Sequence, residues 1–300
     1  MNQTTNIELF RSRSLPIGNW SLSWWQPLLL TALVVWLYAS TFVHLVLQWG
    51  EDADFSHGYL VPAFSLFVLW RERDRLLNIP RRPSLWGIAL IIFSLLLLVT
   101  GMLGAELFLE RISFIFLIAG FVLLFCGTAH LKAMLFPLCF LVLMVPIPSI
   151  LFTQVTFPLQ IFASRLASTI LPLLGVPVLR EGNILHLPTM TLQVAEACSG
   201  IRSLVSLMTL AIIYGYCMQG TSWARLALAL AAIPTAILAN SSRIVITGLL
   251  GQYWKPTTAE GFFHTFSGWL IFLASVIIMV LLHRLFMGRR KTIKDADLHD

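Results

Sequence analysis

Long apolar segments constrain this chain more than any other feature of its sequence. A helix that crosses a bilayer needs about 20 consecutive, mostly apolar residues, and such segments recur along nearly the whole chain. We predict eight crossing segments, the second being the shortest: 27–47, 58–70, 85–103, 107–127, 131–147, 201–217, 224–242 and 264–284. The sequence therefore predicts an all-α, polytopic transmembrane helical bundle.

The composition agrees with a membrane protein. Charged residues make up 11% and hydrophobic residues 58% of the chain, and the mean hydropathy is +0.84, whereas a soluble domain has about 25% charged residues. The net charge of +6 does not indicate nucleic-acid binding, because the basic residues cluster beside the apolar segments. No removable signal peptide is expected after Met1. We predict a cytoplasmic tail (1–26), one transmembrane domain (27–285) and a second cytoplasmic tail (286–300).

The stretch between residues 148 and 200 is apolar but interrupted by four prolines, and it carries the charged residues Arg165, Arg180 and Glu181. We predict an interfacial or re-entrant helix near 151–175. Residues 178–194 alternate polar and apolar side chains, which favours a small hairpin outside the membrane.

The distribution of Lys and Arg predicts the orientation, since these residues collect on the cytoplasmic side. With eight crossings, 14 of the 20 basic residues fall on that side. The opposite loops carry an acidic run at 51–54 and little positive charge. We therefore predict a multi-pass protein of the inner (cytoplasmic) membrane with both termini in the cytoplasm.

Three ionisable residues lie at the extracytoplasmic ends of the predicted segments. On this map Cys198 precedes the sixth segment, Arg243 follows the seventh, and His264 precedes the eighth. A thiol attacks a carbonyl only as thiolate, and His264 is suited to take its proton and later return one. Arg243 stays charged and is suited to hold a developing oxyanion. These three residues are the candidate catalytic group.

The supporting residues leave alternatives open. Arg202 follows Cys198 by one helical turn, so it either holds Glu196 or lowers the pKa of the thiol. The alternative to a catalytic role is that Cys198 simply lies at a membrane boundary and that the arginines extend their charged ends to the membrane interface. His57 and the acidic run 51–54 either shape the extracytoplasmic mouth or form a solvated loop. The cysteines predict neither a disulfide framework nor a zinc cluster, and we expect no metal and no cofactor.

Four sequence blocks resemble the exosortase/archaeosortase family. They are Ser56-His57-Gly58-Tyr59-Leu60-Val61-Pro62, Ala197-Cys198-Ser199-Gly200-Ile201-Arg202-Ser203-Leu204, Asn240-Ser241-Ser242-Arg243-Ile244, and His264 followed by Gly268. The similarity spans about residues 50–285 in the family's order. It implies a membrane-embedded cysteine protease or transpeptidase with Cys198 as nucleophile and Arg243 and His264 as its partners, and it brings Asn240 into the site region.

The resemblance also implies the partners. They are proteins with a C-terminal sorting signal, made of a short Pro-Glu-Pro-type motif, a transmembrane helix and a basic tail. Cleavage passes through a thioacyl-enzyme to water or to an unknown amine acceptor, with membrane lipids around the protein and no nucleic acid. Two other functions compete: a polysaccharide-export component or transporter without covalent catalysis, and an acyltransferase acting on lipid or sugar.

Overall fold

The computed structural model describes residues 25–194, 200–218, 222–253 and 262–296, in part as backbone only (200–202, 222, 262–265, 267–268 and 286–296 among others). The chain divides into two compact units, residues 1–43 and 44–300. The α-helices are α1 (Trp25–Glu51), α2 (Leu60–Arg71), α3 (Arg73–Asn78), α4 (Trp86–Gly104), α5 (Leu107–Phe125), α6 (Thr128–Ala133), α7 (Leu135–Phe140), α8 (Ser149–Leu173), α9 (Gly200–Cys217), α10 (Ser222–Tyr253) and α11 (Phe262–Ala296). Two 3-10 helices, Ala53–Tyr59 and Leu141–Met144, and three short strands complete the described fold.

The long apolar helices confirm the polytopic, all-α prediction. Within the described residues, α1, α4, α5 and α10 are long and apolar enough to cross a membrane, and a fifth span results if one bent helix pair is counted as one. Ser203–Cys217 of α9 and Trp269–Leu285 of α11 are shorter apolar helices at two other predicted segments. In the first unit, the described part of α1 is largely exposed and apolar.

Two of the eight predicted segments do not form long helices. Segment 58–70 is divided between the 3-10 helix at Ala53–Tyr59 and the 12-residue α2. Segment 131–147 is divided among α6, α7 and the second 3-10 helix. Prolines explain the second case, because Pro137, Pro146 and Pro148 remove backbone donors from one stretch. A hydropathy average is calculated from side chains alone, so it does not include the loss of these backbone hydrogen bonds.

Helices α4 and α5 form a tightly packed antiparallel hairpin. Their connection is short because Ala105 adopts a left-handed conformation (φ 51°) and ends α4 by donating its N–H to the carbonyl of Gly101. A Cβ at Gly87 would lie within 2.6 Å of the Cα of Leu124, so only glycine permits this approach. Farther along, the Ser94 hydroxyl donates to the carbonyl of Ser113 across 2.7 Å.

Helix ends that lie far apart in the sequence meet within the second unit. At one end, the Tyr216 hydroxyl of α9 donates to Glu72 Oε1, which directly follows α2. The guanidinium groups of Arg71 and Arg225 lie 5.5 Å from the centre of the same Tyr216 ring. Elsewhere, Trp49 Nε1 at the end of α1 donates to the Met144 carbonyl across 3.0 Å.

Helix α8 makes a bend of 84° with the preceding stretch Leu135–Met144. The predicted helix near 151–175 is confirmed, and it continues through Pro158 and Pro172. After α8, the predicted hairpin is confirmed and extended by one strand. Strands β1 (Leu179–Glu181), β2 (Ile184–His186) and β3 (Thr191–Gln193) form an antiparallel sheet in the order β1-β2-β3.

Candidate functional site

The structure describes the predicted site residues to different extents. Cys198 and Glu196 lie outside the described residues. Arg202 lies in the first turn of α9, and His264 lies in the first turn of α11, both with the backbone alone described. Only for Arg243, and for Asn240 one turn before it in α10, are the side chains described. The meeting of the side chains of Cys198, Arg243 and His264 in one site therefore stays a prediction.

Arg243 borders a small cavity where three helices meet. The cavity has a volume of about 20 Å³, which is room for about one water molecule. Asn240 and Arg243 of α10 line it together with Ser203 of α9 and Ser275 of α11. Asn240 is buried, Arg243 is half-buried, and both side chains have interaction partners. Residues from all three helices thus meet at the cavity that Arg243 borders.

A packed apolar cluster holds the segment of α10 that carries Arg243. Ile244 is fully buried and Val245 nearly so, and they pack with Ala167 of α8, Leu185 of β2 and their buried neighbours. The strand register pairs Leu185 with Arg180 of β1 and with Leu192 of β3, so these three side chains share the face that meets α10. The guanidinium of Arg180 donates to the carbonyl of Gly182. Because Ile244 follows Arg243 directly, the sheet and α8 restrict the rotation of α10 at this level.

A second apolar cluster holds α9, α10 and α11 together deeper in the bundle. Its buried members are Leu207 and Ala211 of α9, Leu228, Ala232 and Ala236 of α10, and Met279 of α11. The alanines let the helix backbones approach closely. This packing sets the three helices side by side along the residues next to the cavity.

The early block around His57 packs against the second 3-10 helix. His57 Nε2 donates to the carbonyl of Leu143 across 3.2 Å. A Cβ at Gly58 would run into the indole of Trp49, so the block requires glycine at this position. Of the two interpretations of this region, the half-buried position of His57 argues against a solvated loop.

The comparison with protein-family models decides the family. The transmembrane exosortase model matches residues 49–281, more than three quarters of the chain. The chain belongs to the transmembrane exosortase family. No curated protein and no solved structure matches it.

Membership of this family defines the general class of the protein. The match runs from Trp49 through the His57 block and α10 into α11, and so includes every described residue of the candidate site. The exosortase is therefore a membrane protein of a sorting-transpeptidase family.

Sequence reasoning passed over two residues that border the cavity of the exosortase. Ser203 lies directly after Arg202 in one of the four blocks, and Ser275 lies on α11. Ser275 follows His264 by eleven positions, which is three helical turns and hence the same side of the helix. The spacing between His264 and Ser275 could have indicated that Ser275 lies near the site. Using it requires knowing which side of α11 faces α10.

Proposed function

We propose that this exosortase is a cysteine-type transpeptidase or protease with Cys198 as nucleophile and Arg243 and His264 as its partners. It acts on exported proteins that carry a C-terminal sorting signal of the Pro-Glu-Pro type, followed by a transmembrane helix and a basic tail. The family match supports the class of activity. One observation carries the site: Arg243 shares a cavity with residues of both α9 and α11.

The positions of the other two partners along the chain support the same site. Cys198 precedes the first residue of α9 by two positions, and His264 is the third residue of α11. Ser203 and Ile271, which line the cavity, follow Cys198 by five residues and His264 by seven. At 1.5 Å per residue, His264 lies about 10 Å along α11 from Ile271. The starts of α9 and α11 therefore both lie within three helical turns of residues that line the cavity beside Arg243.

The proposed reaction has two steps. The Cys198 thiol gives its proton to His264, and its sulfur attacks the carbonyl of the scissile peptide bond. Arg243 stabilises the oxyanion that develops there, and the tetrahedral adduct then expels the C-terminal segment as an amine that takes the proton from His264. In the second step water or an amine acceptor attacks the thioester with His264 as base, and the thiol is restored. Arg243 exchanges no proton in this mechanism, because a guanidinium is a poor proton donor.

We also propose that the enzyme lies in the inner membrane with both termini in the cytoplasm and the site on the opposite side. The charge pattern supports this orientation. The meeting of Glu72, Tyr216 and Arg225 supports it as well, since the predicted map assigns all three to the cytoplasmic end.

The deciding experiment is co-expression of the full chain with a protein that carries a sorting signal and a tag on each side of it. We expect the wild type to release the C-terminal part and Cys198→Ala to release none, because no other proposed group forms the thioester. Cys139→Ala is the matched control, since Cys139 is exposed on α7 and far from the described site region in sequence. Release by Cys198→Ala at normal expression would mean that Cys198 is structural and that the proposed enzyme mechanism is wrong.

A further inference from the structure

A cavity separate from the proposed catalytic group lies between the end of α1 and the start of α5. Its volume is about 450 Å³. Arg111 of α5 contributes a cation, while Glu51 and Asp52 at the end of α1 contribute two carboxylates. The rest of the lining is His44, Gln48 and the two leucines Leu47 and Leu107.

Arg111 forms the floor of this cavity. It lies in a helix that is apolar and long enough to cross a membrane, and only 3% of its surface is exposed. Its Nε is buried and has no hydrogen-bond partner within the described part of the chain. The neighbouring Glu110 is the charge that acts on it most directly. Charged groups inside membrane helices are expensive and are kept where they have a function.

The rim carries the opposite charge in a fixed position. Asp52 caps the first 3-10 helix, because its Oδ1 accepts the N–H of Asp54 across 2.9 Å. Its own N–H donates to the carbonyl of Gln48 across 2.9 Å, which continues α1. Glu51 is exposed beside it. Among the residues that the structure describes, neither rim carboxylate forms an ion pair with Arg111.

This arrangement is complementary to a dipolar ligand, because the cation of Arg111 at the floor and the carboxylates of Glu51 and Asp52 at the rim do not pair with each other. A guanidinium matches a phosphate with two parallel hydrogen bonds, and a primary ammonium donates to carboxylates. Leu47 and Leu107 are exposed next to these groups, at 51% and 43%, and lie on helices suited to a bilayer. A ligand with apolar chains as well as a zwitterionic head would fit both features.

We propose that this cavity binds the headgroup of an ethanolamine phospholipid, with the phosphate at Arg111 and the ammonium at Glu51 and Asp52. Choline lipids carry the phosphate but have no N–H to donate, and glycerol lipids have no cation for the rim. The site uses none of the proposed catalytic residues, so it stands or falls independently of the proposed function.

The test is native mass spectrometry of the full chain taken from bilayers of equal ethanolamine, choline and glycerol phospholipid. We expect the wild type to retain ethanolamine lipid with a several-fold preference. Arg111→Gln should abolish the retention of this lipid, and Glu51→Gln should reduce the preference over choline lipid. The matched controls Arg165→Gln and Asp74→Asn change exposed groups outside the cavity and should behave as wild type.

Several outcomes would overturn the proposal. Equal retention of the three lipids by the wild type would do so, as would an unchanged preference in both Glu51→Gln and Arg111→Gln. If Arg111→Gln fails to fold, the exposed Glu51→Gln variant decides. Displacement of the lipid by soluble phosphoethanolamine at low concentration would show that the ligand is a small zwitterion and not a lipid.

Discussion

Tyr216 donates a hydrogen bond to Glu72 across 3.1 Å, although 144 residues separate them in the chain. Glu72 accepts from Arg75 as well, at 3.0 Å, so its two carboxylate oxygens are both engaged. The bond ties the end of α9 to the link between α2 and α3. It therefore connects the helix that follows Cys198 in the sequence with the early part of the second unit.

Replacing Tyr216 by Phe should test this connection. The change removes one partly buried hydrogen bond to a charged group and keeps the ring under the two arginines, so we expect a loss of about 1 kcal/mol. Thermal unfolding in detergent measures it, with processing unchanged. Tyr253→Phe is the control, because its 3.3 Å bond to the Leu174 carbonyl is exposed and should matter less. An equal loss in the two variants would contradict the special role of Tyr216.

Replacing Arg243 by Lys should impair processing while the protein still inserts. Lysine keeps the charge but loses the planar fork that aims two donors at an oxyanion. Loss of one such donor typically costs roughly 10²–10³-fold in rate. Initial rates of release from a sorting-signal substrate measure the effect. Arg165→Lys, at an exposed position on α8, should leave the rate as it is, and a fully active Arg243→Lys would remove Arg243 from the proposed mechanism.

Truncating Leu185 should destabilise the region that supports Arg243. Leu185 is fully buried between the sheet and α10, and Leu→Ala changes in such positions cost about 2–5 kcal/mol. We expect a lower melting temperature and a lower rate of processing. Leu179→Ala is the matched control, because Leu179 of β1 is 63% exposed. If both variants melted alike, the sheet would not be part of the support.

His57 should make stability depend on pH. Burial lowers the pKa of His57 from its ordinary value of 6.5, and hydrogen bonds with the backbone of Leu143 and Asp54 offset part of the effect. The folded state thus binds a proton less readily than the unfolded state. The contribution of neutral His57 to the stability of the folded state is complete above pH 6.5. It is lost as the pH falls towards the lowered pKa of His57.

The matching measurement is the melting temperature between pH 8 and pH 5, compared with a His57→Gln variant. The wild type should lose stability on acidification, and the variant should lose less because it has no imidazole to protonate. The same slope in both would show that another group is responsible.

Reporter fusions test the orientation. Fusions after residues 75 and 290 should report a cytoplasmic location, and fusions near residues 190 and 256 an extracytoplasmic one. An extracytoplasmic C-terminus would require an odd number of crossings and a new assignment of sides.

The helices that sequence reasoning predicted well are those in which apolar side chains and backbone agree. Helices α4 and α5 match their predicted segments within two residues, because each is apolar and long enough to cross a membrane as one helix. The hairpin at 178–194 was predictable from alternation, and its turn falls at Gly182, where φ is +64°.

Other features depend on contacts that a single sequence does not carry. The burial of Arg111 was missed, because an average over a segment hides one charge among apolar neighbours. Ser275 lines the same cavity as Arg243 because of the way α11 is rotated against α10. That rotation depends on contacts between residues far apart in the chain. The division of segment 131–147 reflects missing backbone donors at prolines, a cost that hydropathy omits.

The bend of 84° before α8 has a consequence for depth. If the stretch before it runs along the bilayer normal, the 25 residues of α8 lie nearly flat for about 37 Å. A helix lying in that plane follows the surface of the bilayer and not its thickness. Because α8 packs on the segment next to Arg243, a flat α8 would hold this segment at a set distance from the lipid headgroups. Thinner or thicker bilayers would then tilt the crossing helices while this distance stays the same.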